Sequence, residues 1–270
     1  MAKRIIDAEK EIQHIVDEIK HYFVKNGNEN TKAVIGISGG KDSTIAAALL
    51  VRALGPDRVV GVMMPESVQT DIDDSRKVCE NLGIQSFEID IGPTCEKLYK
   101  YFQDCTFGEL MVNPQIRTNT PARIRMTTLY MVAAAVGGRV INTGNASELY
   151  VGYTTKYGDL AGDFAILRDY YVRDVYAIGD VLTELPYELV HKTPGDGMSG
   201  KTDEDNMGFT YEVLDAYLLD EVNPDYETLY KIIERHNRND HKRCINLPCV
   251  RCRTRHWDEP REDQYDNFVF

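Results

Sequence analysis

Residues 36–44 read Gly-Ile-Ser-Gly-Gly-Lys-Asp-Ser-Thr and follow the apolar run Ala33-Val34-Ile35 directly. Glycines in one turn let backbone N–H groups approach anionic oxygens. A helix beginning near Ser43 would aim its positive end at the same place. Ser38 and Ser43 add hydroxyl donors, and Lys41 adds a positive charge. An aspartate beside bound phosphates is repulsive unless a cation lies between them, so Asp42 reads as a Mg2+ ligand. The stretch is not a Walker A loop. Gly36 is followed too soon by Gly39 and Gly40, and Asp42 follows Lys41 where that loop has a hydroxyl. The plain alternative is a strand-to-helix turn capped by Asp or Ser, which needs no ligand.

Two further blocks carry polar side chains at suggestive places. Arg123 and Arg125 stand two apart in a helical pattern, so they point in different directions. One is free to reach a ligand while the other anchors locally, although a solvated basic face explains both equally well. Thr143 and Gly144 close an apolar run, Glu148 follows, and then come Lys156, Asp159 and Asp163. The carboxyl ends of strands are where ligands sit in open α/β sheets. Cys249 and Cys252 form a single C-x-x-C with Cys244 and His256 nearby. Zinc, a redox or sulfur-transfer pair, and free thiols all fit that pattern.

These residues need a scaffold, and the apolar pattern supplies one. Strands are predicted over 32–37, 58–64, 86–91 and 139–143, with helices over 4–25, 43–54, 71–83, 94–103 and 120–138. Pro121 is placed in the first turn of the last of these helices. The alternation is that of βαβ units and predicts an α/β fold, an open parallel sheet with helices on both faces. Beyond residue 150 the pattern is loop-rich, with helices near 170–178, 210–220 and 224–238.

Composition narrows the function classes. With 31 Lys+Arg against 43 Asp+Glu, the net charge of −12 disfavours a general nucleic-acid binder. No stretch approaches the ~20 apolar residues of a membrane span. The first twenty residues carry acids throughout and have no apolar core of a secretion signal. Six cysteines in 270 residues read as reduced thiols in the cytoplasm.

Ser-Gly-Gly-Lys-Asp-Ser (38–43) resembles the signature loop of the PP-loop (N-type) ATP pyrophosphatases, of adenine nucleotide alpha hydrolase-like, Rossmann-like fold. That loop does not choose among them. The later blocks do: Ala-Arg-Ile-Arg-Met (122–126), Asn142-Thr143-Gly144 with Glu148, Gly-Tyr-Thr-Thr-Lys-Tyr-Gly-Asp (152–159) and His-Lys-Arg (241–243) resemble the ammonia-dependent NAD synthetase family. The resemblance runs over residues 1–245 as one domain and leaves 246–270 as a tail.

It implies amidation of deamido-NAD to NAD by ATP and ammonia, through an acyl-adenylate, with AMP and pyrophosphate released. Gly36, Ile37, Ser38, Gly39, Gly40, Lys41, Asp42 and Ser43 would hold the ATP phosphates, Thr143 would contact ATP, and Asp42 and Glu148 would hold Mg2+. Arg123, Lys156, Asp163, His241 and Lys242 would contact deamido-NAD, in a homodimer with the dinucleotide across the interface. Asp42 and Lys41 would stabilise the charge that builds on the phosphates, and Asp159 or Asp163 would help deprotonate the incoming amine.

The chain departs from the family at two places. Val172 stands where many members carry a lysine for ATP, with Arg173 next to it, and Gly195 stands where many have a hydroxyl residue. Arg173 or Lys201 is then a substitute cation. The rival readings are an ATP-dependent tRNA-modifying enzyme, which requires a basic surface, and a non-catalytic nucleotide-binding module, which leaves Asp42 and Glu148 unexplained.

Overall fold

Apolar runs of five residues form the centre of the molecule. In the computed structural model, which describes residues 6–67, 72–110, 113–191 and 202–243, they lie side by side as parallel strands. Along the chain come α1 (Ala8–Lys25), β1 (Lys32–Gly36), α2 (Lys41–Leu54), β2 (Val59–Met63), α3 (Ile72–Leu82), β3 (Gln85–Glu88), α4 (Gly92–Thr106), α5 (Gln115–Val136) and β4 (Gly138–Asn142). Then follow α6 (Ala146–Val151), β5 (Phe164–Ala165), α7 (Val172–Val181), α8 (Tyr187–Val190), α9 (Asp203–Met207), α10 (Tyr211–Leu218), α11 (Tyr226–Arg238) and α12 (Asp240–Arg243).

The sheet has the order β3-β2-β1-β4-β5, and every neighbouring pair is parallel. In β1, Ala33 is in register with Val59 of β2 on one side and Arg139 of β4 on the other. Chain progress reverses between β1 and β4. That is the topological switch point, and it puts the loops after these two strands at the mouth of one crevice.

Alternate residues of β1 feed two cores. Ala33 and Ile35 pack with Ile15, Ile19, Leu49, Val78 and Ile178 from α1, α2, α3 and α7. Val34 packs with Tyr99, Met126, Leu129 and Val132 from α4 and α5. The predicted parallel sheet, covered on both faces, is therefore the one the chain forms. A third, smaller core joins Val151, Val172, Met207, Phe209, Tyr211, Leu214, Tyr217 and Ile232. It ties α6 and α7 to α9, α10 and α11.

Some boundaries differ from those predicted. Helix α5 begins at Gln115, so Pro121 lies inside it and not in its first turn. Asn113 precedes the cap residue, Pro114, and its Oδ1 accepts the Gln115 N–H at 2.9 Å. Pro121 removes one helical hydrogen bond, and its ring is buried in the packing. Helix α2 begins at Lys41, not Ser43. The predicted third strand is shorter, Gln85–Glu88. The C-x-x-C segment, Gly195, Lys201 and the predicted tail lie outside the described residues.

Candidate active site

The loop after β1 is shaped by three bonds. The Ser38 Oγ accepts the Gly40 N–H at 3.2 Å and lies 3.1 Å from the Ser43 Oγ. The Ser43 Oγ also donates to the Gly40 carbonyl at 3.1 Å. Gly39 adopts φ +74°, in the left-handed region, and a Cβ there would lie 3.1 Å from the Ser75 nitrogen of α3. The cap of α2 is Gly40, and no side chain bonds the first-turn amides. Those N–H groups have no carbonyl one turn back. The capped-turn alternative is thus not the one adopted, because the helix end is left open to an anion.

Asp42 sits in the first turn of α2 and faces the loop after β4. Its Oδ1 accepts the Asn145 Nδ2 at 3.2 Å, and its Oδ2 accepts the Lys41 Nζ at 2.6 Å. Asn145 caps α6. Its side chain accepts the Glu148 N–H at 3.0 Å, while its own N–H donates to the Glu148 Oε2 at 3.2 Å. Asn145 thereby holds two carboxylates in a bracket, Asp42 of α2 through its side-chain amide and Glu148 of α6 through its backbone N–H. The Glu148 side chain keeps some surface toward solvent, yet protein surrounds it densely, as on the wall of a cleft. Burial first, and then Asp42, push its carboxyl up to about 8. A pair of carboxylates crowded in this way, with no thiol or imidazole between them, suits a hard divalent cation such as Mg2+.

Lys41 does not extend from the loop into the crevice. It is 4% exposed, and its ammonium lies 5.7 Å from the Tyr176 ring centre and 5.8 Å from that of Tyr211. Burial pulls its pKa down, but Asp42 and then Glu148 outweigh this and hold it above its ordinary value.

A second group lies along the chain from α6. The Lys242 Nζ donates to the carbonyls of Gly152 and Thr154 at 2.7 and 2.6 Å. The Lys156 Nζ donates to the His241 carbonyl, and the Arg123 Nε to the Lys156 carbonyl at 3.2 Å. Arg123, Lys156, His241 and Lys242 are thus brought together, with α12 pinned to the loop after α6. Asp159 belongs to the same loop, where its Oδ1 accepts the Thr155 N–H at 2.6 Å. It reaches solvent but is densely surrounded; burial raises its carboxyl, and its charge is felt at Glu148. Arg125 turns the other way, and its Nε donates to the Met64 carbonyl at 3.0 Å.

Thr143 follows the last residue of β4, half-buried. Asp163 is placed differently. Its carboxylate accepts the Val140 N–H at 2.7 Å and the Tyr130 hydroxyl at 3.2 Å, closing the sheet between β4 and β5. Val172 is buried in the third core at 4% exposure. Arg173 is held by Glu221 through two bonds of 2.8 and 3.0 Å, so its guanidinium is already engaged.

Sequence reasoning missed Asn145, Tyr176, Tyr211 and the buried pair Ser147–Asp215. Asn145 had a legible signal, since Asn-x-x-Glu is a capping box pattern. The aromatic residues had none, because they reach Lys41 only through the tertiary fold.

An open, parallel α/β sheet with a glycine-rich loop and an uncapped helix end at its switch point defines a nucleotide-phosphate-binding protein of the doubly wound class. Residues 11–246 match the NAD synthase family. The chain belongs to that family, whose members use ATP as a substrate, and it is a ligase. The NH(3)-dependent NAD(+) synthetase of Thermoplasma acidophilum is 36% identical over 236 residues, covering 84% of this chain and 92% of that protein. Among solved structures, NMN synthetase from Francisella tularensis is similar with a TM-score of 0.81 and 32% identity, covering 90% of this chain and 98% of the other. NH3-dependent NAD synthetase from Campylobacter jejuni is similar at 0.69 and 27%, with coverage of 90% and 98%.

Proposed function

We propose that the chain amidates the nicotinate carboxylate of deamido-NAD, using ATP and free ammonia, and releases AMP and pyrophosphate. The observation that carries this reading is the open N-terminus of α2 beside the bracket of Asp42, Asn145 and Glu148. A carboxylate is a poor electrophile and must be activated first. Its oxygen attacks the α-phosphorus of ATP, the bond to the β-phosphate oxygen breaks, and pyrophosphate leaves. Ammonia then attacks the acyl carbon of the adenylate, loses a proton, and AMP departs with the former carboxylate oxygen.

The chain's own groups orient and stabilise. The first-turn N–H groups of α2 and the exposed Ser38 hydroxyl donate to phosphate oxygens as charge builds on them. Asp42 and Glu148 hold Mg2+, which neutralises phosphate charge when bound. Arg123, Lys156, His241 and Lys242 form the wall for the nucleotide substrate. The NH(3)-dependent name of the Thermoplasma relative supports ammonia as nitrogen donor.

A second reading concerns the substrate's length. The similarity to NMN synthetase from Francisella tularensis favours nicotinate mononucleotide, which carries the same reacting carboxylate without the adenylyl half. The test is one assay with two arms. The pure protein is given ATP, Mg2+, ammonium and either substrate, and kcat/KM is compared by product mass. A substrate carboxylate labelled with 18O should deliver label into AMP. Unlabelled AMP would refute the acyl-adenylate, and equal rates with glutamine, after contaminating ammonia is removed, would refute free ammonia.

A homodimer is part of the same proposal. Leu98, Tyr101, Phe107, Leu110 and Met131, on and beside α4 and α5, are exposed large apolar residues that a second copy would cover. Cytoplasmic location is supported by the free thiols of Cys79, Cys95 and Cys105. No helix among the described residues is long and apolar enough to cross a membrane.

A further inference from the structure

Lys41 has no task at the reacting atoms in the chemistry above, and it is nonetheless elaborately housed. A buried lysine is rare unless its charge is met. Here it is met on three sides. Asp42 Oδ2 lies 2.6 Å from the ammonium, and the rings of Tyr176 and Tyr211 lie 5.7 and 5.8 Å away. Both distances are within the range over which a ring face attracts a cation. The rings come from α7 and from the first residue of α10, and the backbone of Tyr211 is itself fixed by its N–H donating to the Glu204 Oε1 at 2.9 Å. The box therefore belongs to the C-terminal helices, while the lysine belongs to the phosphate loop.

We propose that Lys41 is a tethered counter-ion that sets how tightly the Asp42–Glu148 bracket takes a divalent cation. This rests on reading that bracket as the Mg2+ site. A fixed unit charge beside one carboxylate has two effects. It offsets the repulsion between Asp42 and Glu148, so the bracket keeps its shape through Lys41 and Asn145. It also repels any second cation that approaches the same carboxylates, and in a largely desolvated place that repulsion is strong. The protein alone then binds Mg2+ weakly, and the ion is retained only when ATP phosphates add their oxygens to its shell, the usual way enzymes hold Mg2+. Lys41 is a positioning residue that acts through Asp42. It makes metal entry depend on the nucleotide.

The probe is Mn2+, titrated into the nucleotide-free protein and followed by its electron paramagnetic resonance signal. Lys41→Met should bind Mn2+ about tenfold tighter or more than the unaltered chain, the order expected from removing a like charge a few ångströms away. Lys41→Arg, which keeps the charge, should stay weak. The melting temperature of Lys41→Met should also rise more steeply with added Mg2+. Should methionine not be tolerated, Lys41→Gln offers a shorter side chain with a donor for Asp42 and no charge, and it carries the same expectation. Mn2+ affinity unchanged or weakened in the neutral variants, yet lost on adding Glu148→Gln, would overturn the role of Lys41 and leave the metal bracket standing. Tight binding in Lys41→Met that survives Glu148→Gln would overturn the bracket itself.

Discussion

Asp215 allows a quantitative test of how the C-terminal helices are tied to the site. It lies in α10, 1% exposed, and accepts the Ser147 hydroxyl at 2.5 Å and the Arg173 N–H at 2.9 Å. Burial, its largest influence, pushes the carboxyl from an ordinary 3.8 up to about 6, against the pull of Ser147 and Arg173. An acid held above its ordinary value takes up a proton on folding. Its contribution is full below pH 3.8 and is lost as pH rises through about 6. At about 1.4 kcal/mol per pH unit, the loss is roughly 3 kcal/mol. Asp215→Asn removes this titration. The amide keeps one acceptor for two donors, so it loses a hydrogen bond, a pH-independent cost of about 1–3 kcal/mol. The stability gap between the two proteins should therefore narrow by roughly 2.5 kcal/mol between pH 4 and 7, and should close or reverse at neutral pH. Urea melts followed by circular dichroism at pH 4, 5, 6 and 7 give the gap directly, and other carboxylates cancel in the difference. Two pH profiles that run parallel would refute the reasoning and mean that Asp215 is ionised and well solvated in the folded chain.

Asp42→Asn should keep the circular dichroism spectrum and lower turnover by about 10² or more, as for loss of one charge-stabilising group; near-normal turnover at saturating Mg2+ would reduce Asp42 to a structural role. Gly39→Ala places a side chain at φ +74° and 3.1 Å from the Ser75 nitrogen. It should cost about 1–2 kcal/mol from backbone strain alone and raise the KM for ATP, measured in the amidation assay. Val172→Lys would introduce the lysine that the family resemblance leads one to expect, but the position is 4% exposed among the residues of the third core. A loss of roughly 3 kcal/mol is expected, with no gain in ATP affinity; a stable variant with tighter ATP binding would show that this wall opens to the nucleotide.

The first half of the chain was legible because its signals are local. Val34 and Val60 alternate with Ala33 and Val59, glycines punctuate the runs, and strand and helix lengths match a βαβ repeat. The glycine-rich turn from β1 into α2 was legible for the same reason, since Gly39, Gly40, Ser43 and Asp42 lie together in sequence. What was not legible depends on pairs far apart in the sequence. Nothing local to Lys41 says that it turns inward, because the box that holds it is made by Tyr176 and Tyr211. Nothing local to Asp215 says that it is buried against Ser147. Asp163 follows the site block directly, yet the short strand Phe164–Ala165 after it pairs with β4 and draws its carboxylate to the Val140 N–H. A two-residue strand has no periodicity from which to read that.

The bond from Asn145 to Asp42 joins residues 103 apart in the sequence. During synthesis at about 5–20 residues per second, the phosphate loop leaves the ribosome roughly 5–20 s before the residue that braces it. The tyrosines that house Lys41 come later still. A nascent chain thus carries a finished strand and helix around a loop whose buried lysine is still in water. The bracket around Asp42 is one of the last parts of this protein to come into existence, although the glycine-rich stretch it completes is among the first to be translated.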